Sequence, residues 1–410
     1  MAAAPSDIDI FDAASLADPY PMYRILRDQA PVYRVPGADF FLVTTWDLVT
    51  EAATRTTDFS SNLTGVMIHQ PDGAPLVFDM DGGGQAVHVL ATADDPVHAV
   101  HRKLVFPFIG KRLRELGPLV NRMVDRIWHE ELSGNRIDFA TAMADRLPLG
   151  VVADLIGLPQ RDVPQLLAWA YDSTEMLGGI VPEGRLTQLV TSAAELAGYL
   201  HQRFTTALTE PEGEITGLLD VLARACRAGD LDPDVAVLML VQLVGAGGES
   251  TAGLIANAAH ILATRTDLQD RLRADTTLIP GFLDEVLRVE SPFRGHHRHI
   301  TADSTLGGVA LPAGGHLLLM WGAANRDPHN FTDPDTIDLE RPTGRTTLAF
   351  GKGAHYCIGA ALARMEALAA ITTLLARSTE FGLVEDAAPQ WVPSLMVRRH
   401  TSLPLRVRGG

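Results

Sequence analysis

Apolar residues recur at helical spacing from Pro233 to about Thr264, with Asp232 placed to cap the run and Pro233 at its first position. These 32 residues would make a helix of roughly 48 Å at 1.5 Å per residue, about the width of a whole domain. Such a helix must run through a core, with the rest of the chain wrapped around it. Its middle reads LVGAGGEST, residues 243–251. Gly245, Gly247 and Gly248 each cost a helix up to about 1 kcal/mol relative to alanine, and Glu249, Ser250 and Thr251 follow at once. A cluster of that cost either notches the helix for a packed neighbour or lets something flat approach the backbone while the ladder opens locally.

The surrounding pattern fits a mainly α fold with minor β. DPYPMYRILRDQ reads as an early amphipathic helix, RVPGADFFLVTTWDLVTEAA as a strand pair running into a helix, and residues 94–229 are chiefly helical. STLGGVALPAGGHLLLMW and PSLMVRRHTSLPLRVR carry strand signals, which puts a small β-rich lobe beside the helices. Residues 60–92 read as a long irregular segment, a kind usually tied to function. No linker or repeat divides the chain, so a single domain over 1–410 is expected.

The acidic first twenty residues lack a basic-then-apolar leader, and no run reaches about 18 uninterrupted apolar residues. A cytoplasmic protein with no membrane span is therefore expected. A net charge of −16 argues against nucleic acid as a partner. Two cysteines, Cys226 and Cys357, are too few for a disulfide framework or an iron–sulfur cluster. Cys226 sits in a helical pattern and reads as a buried structural thiol.

Cys357 is different. It lies in FGKGAHYCIG (350–359), with Gly351 and Gly353 marking a tight loop and an Ala/Leu-rich helix starting near Gly359. A thiolate there is favoured by the helix dipole and by free backbone N–H groups.

That stretch resembles the haem-binding loop of the cytochrome P-450 superfamily. Other marks of the superfamily follow in order: GAGGEST in the long helix, FLDEVLRVESP with Glu285 and Arg288, and DLERP with Arg341. DPVHAVHRKLV (with His98 and Arg102) and HHRHITAD (with Arg298) complete the set. The resemblance covers essentially the whole chain. DFSSNLT, ATADDPVHAVHRKLV, AGGESTA and PFRGHHRH are similar to the mycobacterial and actinobacterial family numbered 144.

The resemblance implies a long central helix over haem b, iron protoporphyrin IX with Cys357 as axial thiolate and the only metal ligand. It implies that His98, Arg102, Arg298 and His355 hold the propionates, that Phe350, Gly351 and Gly359 frame the loop, and that Ala246 and Gly247 face the haem. Glu249, Ser250 and Thr251 would supply protons; the family usually has threonine where Ser250 stands. Glu285, Arg288 and Arg341 would form a structural ion cluster. The implied activity is a monooxygenase that takes O2 and two external electrons and hydroxylates or epoxidises an apolar small molecule. No flavin or nicotinamide fingerprint is present, so a ferredoxin-type donor with its reductase is implied. A peroxygenase, a coupling or rearrangement enzyme, and a haem protein that binds without turnover stay open as alternatives. The substrate pocket is expected from 60–92, Trp169–Pro182, the Ala246 region, SPFRGHH and 393–396. His101, His296, His297 and His299 receive no role.

Overall fold

The computed structural model describes residues 8–70, 75–182, 184–211, 213–341 and 347–409. Its axis is the predicted helix, Pro233–Thr264, which runs unbroken through the glycine cluster. Asp232 caps it by accepting from the Asp234 and Val235 N–H groups. Among the described residues this is the one helix long and apolar enough to cross a membrane, and it is packed inside the protein.

Each face of the helix meets a different neighbour, as the 3.6-residue period requires. Gly248 and Ala252 turn toward the helix Arg146–Ile156, where a Cβ on Gly248 would lie 3.6 Å from Leu149. A Cβ on Gly247 would meet Val152 of that helix at 2.4 Å. The packing notch is thus present, and Gly247 also borders the cavity described below. Gly253 and Asn257 turn toward the C-terminal segment, with Asn257 Nδ2 donating to the Arg398 and Glu290 carbonyls at 3.0 and 3.2 Å. Helices Val163–Glu175, Arg185–Thr209 and Ala360–Ala376 pack around these faces.

The β-rich lobe is a five-stranded sheet. Its order is Val32–Arg34, Phe40–Val43, His316–Leu319, His296–Ile300, Phe59–Ser60, with one parallel pairing, Phe40–Val43 against His316–Leu319. Strand alternation sends His296 and Arg298 to one face and His297 and His299 to the other. A second sheet joins Ser378–Leu383, Pro404–Gly409 and Arg136–Asp138.

Residues 60–92 are more ordered than expected. They contain an antiparallel pair, Gly65–Ile68 with Leu76–Asp79. The Pro71-Asp72-Gly73 sequence between two apolar runs is a turn signal that could have revealed it; residues 71–74 lie outside the described residues. Within 393–399 the chain forms bends and a single bridge, Val397 to Phe293, in place of the strand anticipated there.

Glu285 and Arg288, three apart on Ile279–Val289, are both fully buried and bidentate, at 2.7 and 2.9 Å. Arg341 Nε reaches Glu285 at 3.3 Å. Arg288 also donates to the Asn325, Pro334 and Thr336 carbonyls. The cluster therefore pins the chain on its way to the cysteine loop.

Candidate active site

The cysteine loop is closed by the Cys357 N–H donating to the Phe350 carbonyl at 2.9 Å. Gly351 and Gly353 sit at φ +72° and +74°, backbone that a side chain rarely adopts. Helix Ala360–Ala376 starts three residues after the sulfur. Burial pushes the Cys357 thiol up, while the N–H groups of Gly359 and Ala360 and the charges of Arg102 and Arg364 pull the other way. The side chain is open to a cavity of about 220 Å³. Cys226 lies elsewhere, half-buried, its thiol raised by burial.

Opposite the sulfur the cavity is walled by Leu243, Ala246, Gly247, Ser250, Thr251 and Leu254 of the central helix. Ala246, Gly247, Ser250 and Thr251 were expected here; Leu243 and Leu254 extend the same face at i, i+3, i+4 spacing, and Glu249 is not among the lining residues. At one edge stand His98, Arg102, Arg298 and His355, brought together from the helix Val97–Glu131, the strand His296–Ile300 and the cysteine loop. The His98 and His355 rings lie 4.1 Å apart. Arg298 donates Nη1 to the His297 carbonyl, but its Nε and His355 Nδ1 are buried without a protein partner. Arg102 and Arg298 form no ion pair among the described residues. Burial pushes Arg298 down to about 10 and His355 down to about 4. Buried cations without counter-charges are costly, so the edge is built for a ligand that brings negative charge. A broad group with two carboxylates and a metal for the sulfur fits it.

Glu249 does not open onto the cavity. It lies about 100° around the helix from Ser250. Its carboxylate accepts from Arg399 Nε at 2.6 Å and from Thr174 Oγ1. Arg399 lies over the Tyr171 ring, 3.8 Å from its centroid, and Tyr171 donates to Asp145 at 2.5 Å. Sequence reasoning did not find Arg399, Thr174, Tyr171 or Asp145. Ser250 Oγ bonds back to the Ala246 carbonyl at 3.3 Å. Glu366, on the cysteine-loop helix, also went unnoticed. It borders the cavity and is buried with Oε2 unpartnered, and burial pushes its carboxyl well above the usual carboxylate range.

Of the segments expected to wall the pocket, three contribute: Leu90 and Ala91, the Ala246 region, and Pro292, Phe293 and His296. Trp169–Pro182 and 393–396 are not among the cavity-lining residues. They pack on each other instead: Leu395 N–H donates to the Gly178 carbonyl at 2.9 Å, and a Cβ on Gly178 would strike Ser394 at 2.5 Å. Trp169 faces outward and donates to Glu195. His101 Nδ1 accepts from Leu90 N–H at 3.4 Å, which holds the Leu90 turn. His299 and His316 share the Thr64 hydroxyl behind the sheet.

A lone cysteine sulfur beneath a long small-residue helix, with cations lacking ion-pair partners among the described residues at the cavity edge, defines the class: a haem-thiolate protein. The cytochrome P450 family profile matches residues 220–381. Cytochrome P450 144 of Mycobacterium tuberculosis is 45% identical over 399 residues, 97% of this chain and 91% of that protein. Cytochrome P450 monooxygenase PikC of Streptomyces venezuelae is 33% identical over 96% of this chain and 92% of its own. The crystal structure of CYP109E1 from Bacillus megaterium in complex with testosterone superposes with a TM-score of 0.84 at 27% identity, covering 96% of this chain and 99% of that one. The chain belongs to the cytochrome P450 family and is a haem monooxygenase.

Proposed function

We propose that this monooxygenase hydroxylates or epoxidises an apolar small molecule, with haem b as cofactor and two electrons from a ferredoxin and its reductase. The observation that carries the reading is the cavity itself, with Cys357 on one side and a face of small residues and hydroxyls on the other. The haem iron, held by the Cys357 thiolate, supplies the activation of dioxygen. His98, Arg102, Arg298 and His355 pair the propionates, while Phe350, Gly351 and Gly359 shape the loop around the sulfur.

Ala246 and Gly247 keep the helix wall low enough for dioxygen beside the substrate. Ser250 and Thr251 present hydroxyls to the cavity, and Glu249 is the acid behind them. Its pairing with Arg399 and Thr174 fixes where that carboxylate lies. Apolar walls from Leu90, Leu243, Leu254 and Phe293 favour a substrate with few polar groups. The donor docks on the outer side of the cysteine loop, where Lys103, Lys111 and Arg114 are exposed beside Val100, Phe106 and Tyr356. The chain works as one domain, in the cytoplasm.

The test is product formed and peroxide released per NADH consumed, using a surrogate ferredoxin and a substrate found by its Soret shift. Ser250→Ala should divert reducing equivalents to peroxide. Coupling equal to wild type would mean that this hydroxyl carries no proton. A peroxygenase or coupling chemistry that needs no relay would then be favoured.

A further inference from the structure

His296 received no role from its sequence. It stands on the same strand face as Arg298, two residues away, and borders the cavity. Trp321 Nε1 donates to His296 Nδ1 at 2.7 Å. An indole nitrogen can only donate, so Nδ1 must accept, and the proton of the neutral imidazole is on Nε2. The Trp321 contact is the one side-chain hydrogen bond His296 makes among the described residues, and the residue borders the cavity. Trp321 is itself buried, 1% exposed, so the arrangement is set from behind by the core.

We propose that His296, held in one tautomer by Trp321, is a further member of the propionate cradle and donates its Nε2–H to a haem carboxylate. The inference rests on the cradle reading above. The neighbourhood favours an anion over a substrate group, because Arg298, Arg102 and His355 line the same cavity as His296 and the His98 ring lies 4.1 Å from that of His355. Burial beside Arg298 pushes His296 down to about 3, so it joins the cradle as a neutral donor and adds no charge. Arg102, the buried Arg298 and a neutral donor can hold a carboxylate pair without the repulsion a further adjacent cation would bring. Phe293 of the apolar wall stands edge-on to His296 at 5.4 Å, where the wall meets the cradle edge.

The experiment is the rate of haem release from the holoenzyme to an acceptor globin, together with the midpoint potential of the substrate-free protein. A hydrogen bond to a charged group is worth enough that His296→Phe should release haem about tenfold faster. Its potential should move negative, because the carboxylate keeps more of its charge. His296→Gln, which can place an amide N–H where Nε2–H lies, should stay within about threefold of wild type. Reconstitution with haem dimethyl ester should bring wild type and His296→Phe to the same rate, which separates loss of this contact from a general loosening of the fold. Arg298→Ala tests the underlying reading. If it and the ester leave release unchanged in wild type, the cradle itself is wrong. If both accelerate release while His296→Phe does not, only the present inference fails. A His296→Phe protein with normal release but weakened substrate binding would make His296 a substrate anchor and overturn the proposal.

Discussion

The two sides of the cavity treat polar atoms in opposite ways. At the cradle edge, Arg298 Nε and His355 Nδ1 are buried with no protein partner, and Arg102 has no ion pair among the described residues. On the far face of the central helix and beneath the cysteine loop, charges are closed off. Glu249 is bound by Arg399 and Thr174, and Glu285 by Arg288 and Arg341. Polar groups left open hold a ligand, and groups closed on each other hold the fold; Glu249, given an acid's role in the proposal above, is the closed group that serves both. Substitutions on the open side should therefore cost cofactor binding and chemistry, and those on the closed side should cost stability.

Cys357 is the most extreme case on the open side. Cys357→Ser should abolish the red-shifted ferrous–CO Soret band of thiolate ligation and bring turnover to background, with the chain still folded. Cys226→Ser should retain the band. A thiolate spectrum in the Cys357 variant would end the ligand assignment. On the closed side, Glu285→Gln leaves Arg288 buried without its counter-charge. The expected loss is about 3–5 kcal/mol in chemical unfolding. A stable Glu285→Gln protein with poor haem uptake would collapse the distinction.

Asp145 sharpens the comparison, because it is a closed-side group that is only partly compensated. Burial raises it from 3.8 to about 6, against the pull of the Tyr171 hydroxyl and Arg399. Between those values the folded chain binds more protons than the unfolded one, so this group's contribution to stability falls as pH rises. Asp145→Asn, which still accepts from Tyr171, should gain about 1–3 kcal/mol above pH ~7, and the gain should fade toward pH 4. Thermal unfolding across that range is the measurement. A gain that did not vary with pH would point to packing and leave the carboxylate without a role.

What could be read from the sequence follows the same division. The central helix, its cap and its face toward the cavity were encoded locally, since residues three and four apart must share a side. Cys357, His98, Arg102, Arg298 and His355 were found because their spacing matches a known pattern, and the fold brings them to one cavity. Arg399 is 150 residues from Glu249, and nothing in VRRH distinguishes it from a surface cation. His296 needed Trp321, 25 residues away, before its donor could be identified. The pocket wall was misjudged at Trp169–Pro182 and 393–396 because apolar segments near a cavity can pack on each other, and periodicity does not say which they choose.

The proposed donor face lies outside both sides and carries a smaller effect. Arg112 is committed to Glu115 and Asp154 at 3.0 and 2.7 Å, so the steering charges in that proposal are Lys103, Lys111 and Arg114. Lys103→Glu with Lys111→Glu should slow reduction by a ferredoxin severalfold at low salt. The difference should shrink as ionic strength shortens the Debye length. Salt-independent reduction in both proteins would move the docking site elsewhere.

The smallest effect is expected where the chain departs from its family, at Ser250. Its hydroxyl faces the cavity yet bonds back to Ala246, so the open side here contains one group that is half closed. Threonine is stiff at χ1, and in a helix its hydroxyl can use the same carbonyl. Ser250→Thr therefore adds a methyl and removes rotational freedom without removing the donor. Product per NADH should stay within about twofold of wild type, on the higher side, because a fixed hydroxyl offers more consistent proton delivery. Ala246 and Leu254 line the cavity one turn to either side of Ser250, where the extra methyl must be accommodated. A marked fall in coupling with unchanged substrate affinity would show that the relay depends on serine's freedom to leave the Ala246 carbonyl. A fall in affinity instead would show that the substrate occupies the space the methyl needs, and would place it against this turn of the helix.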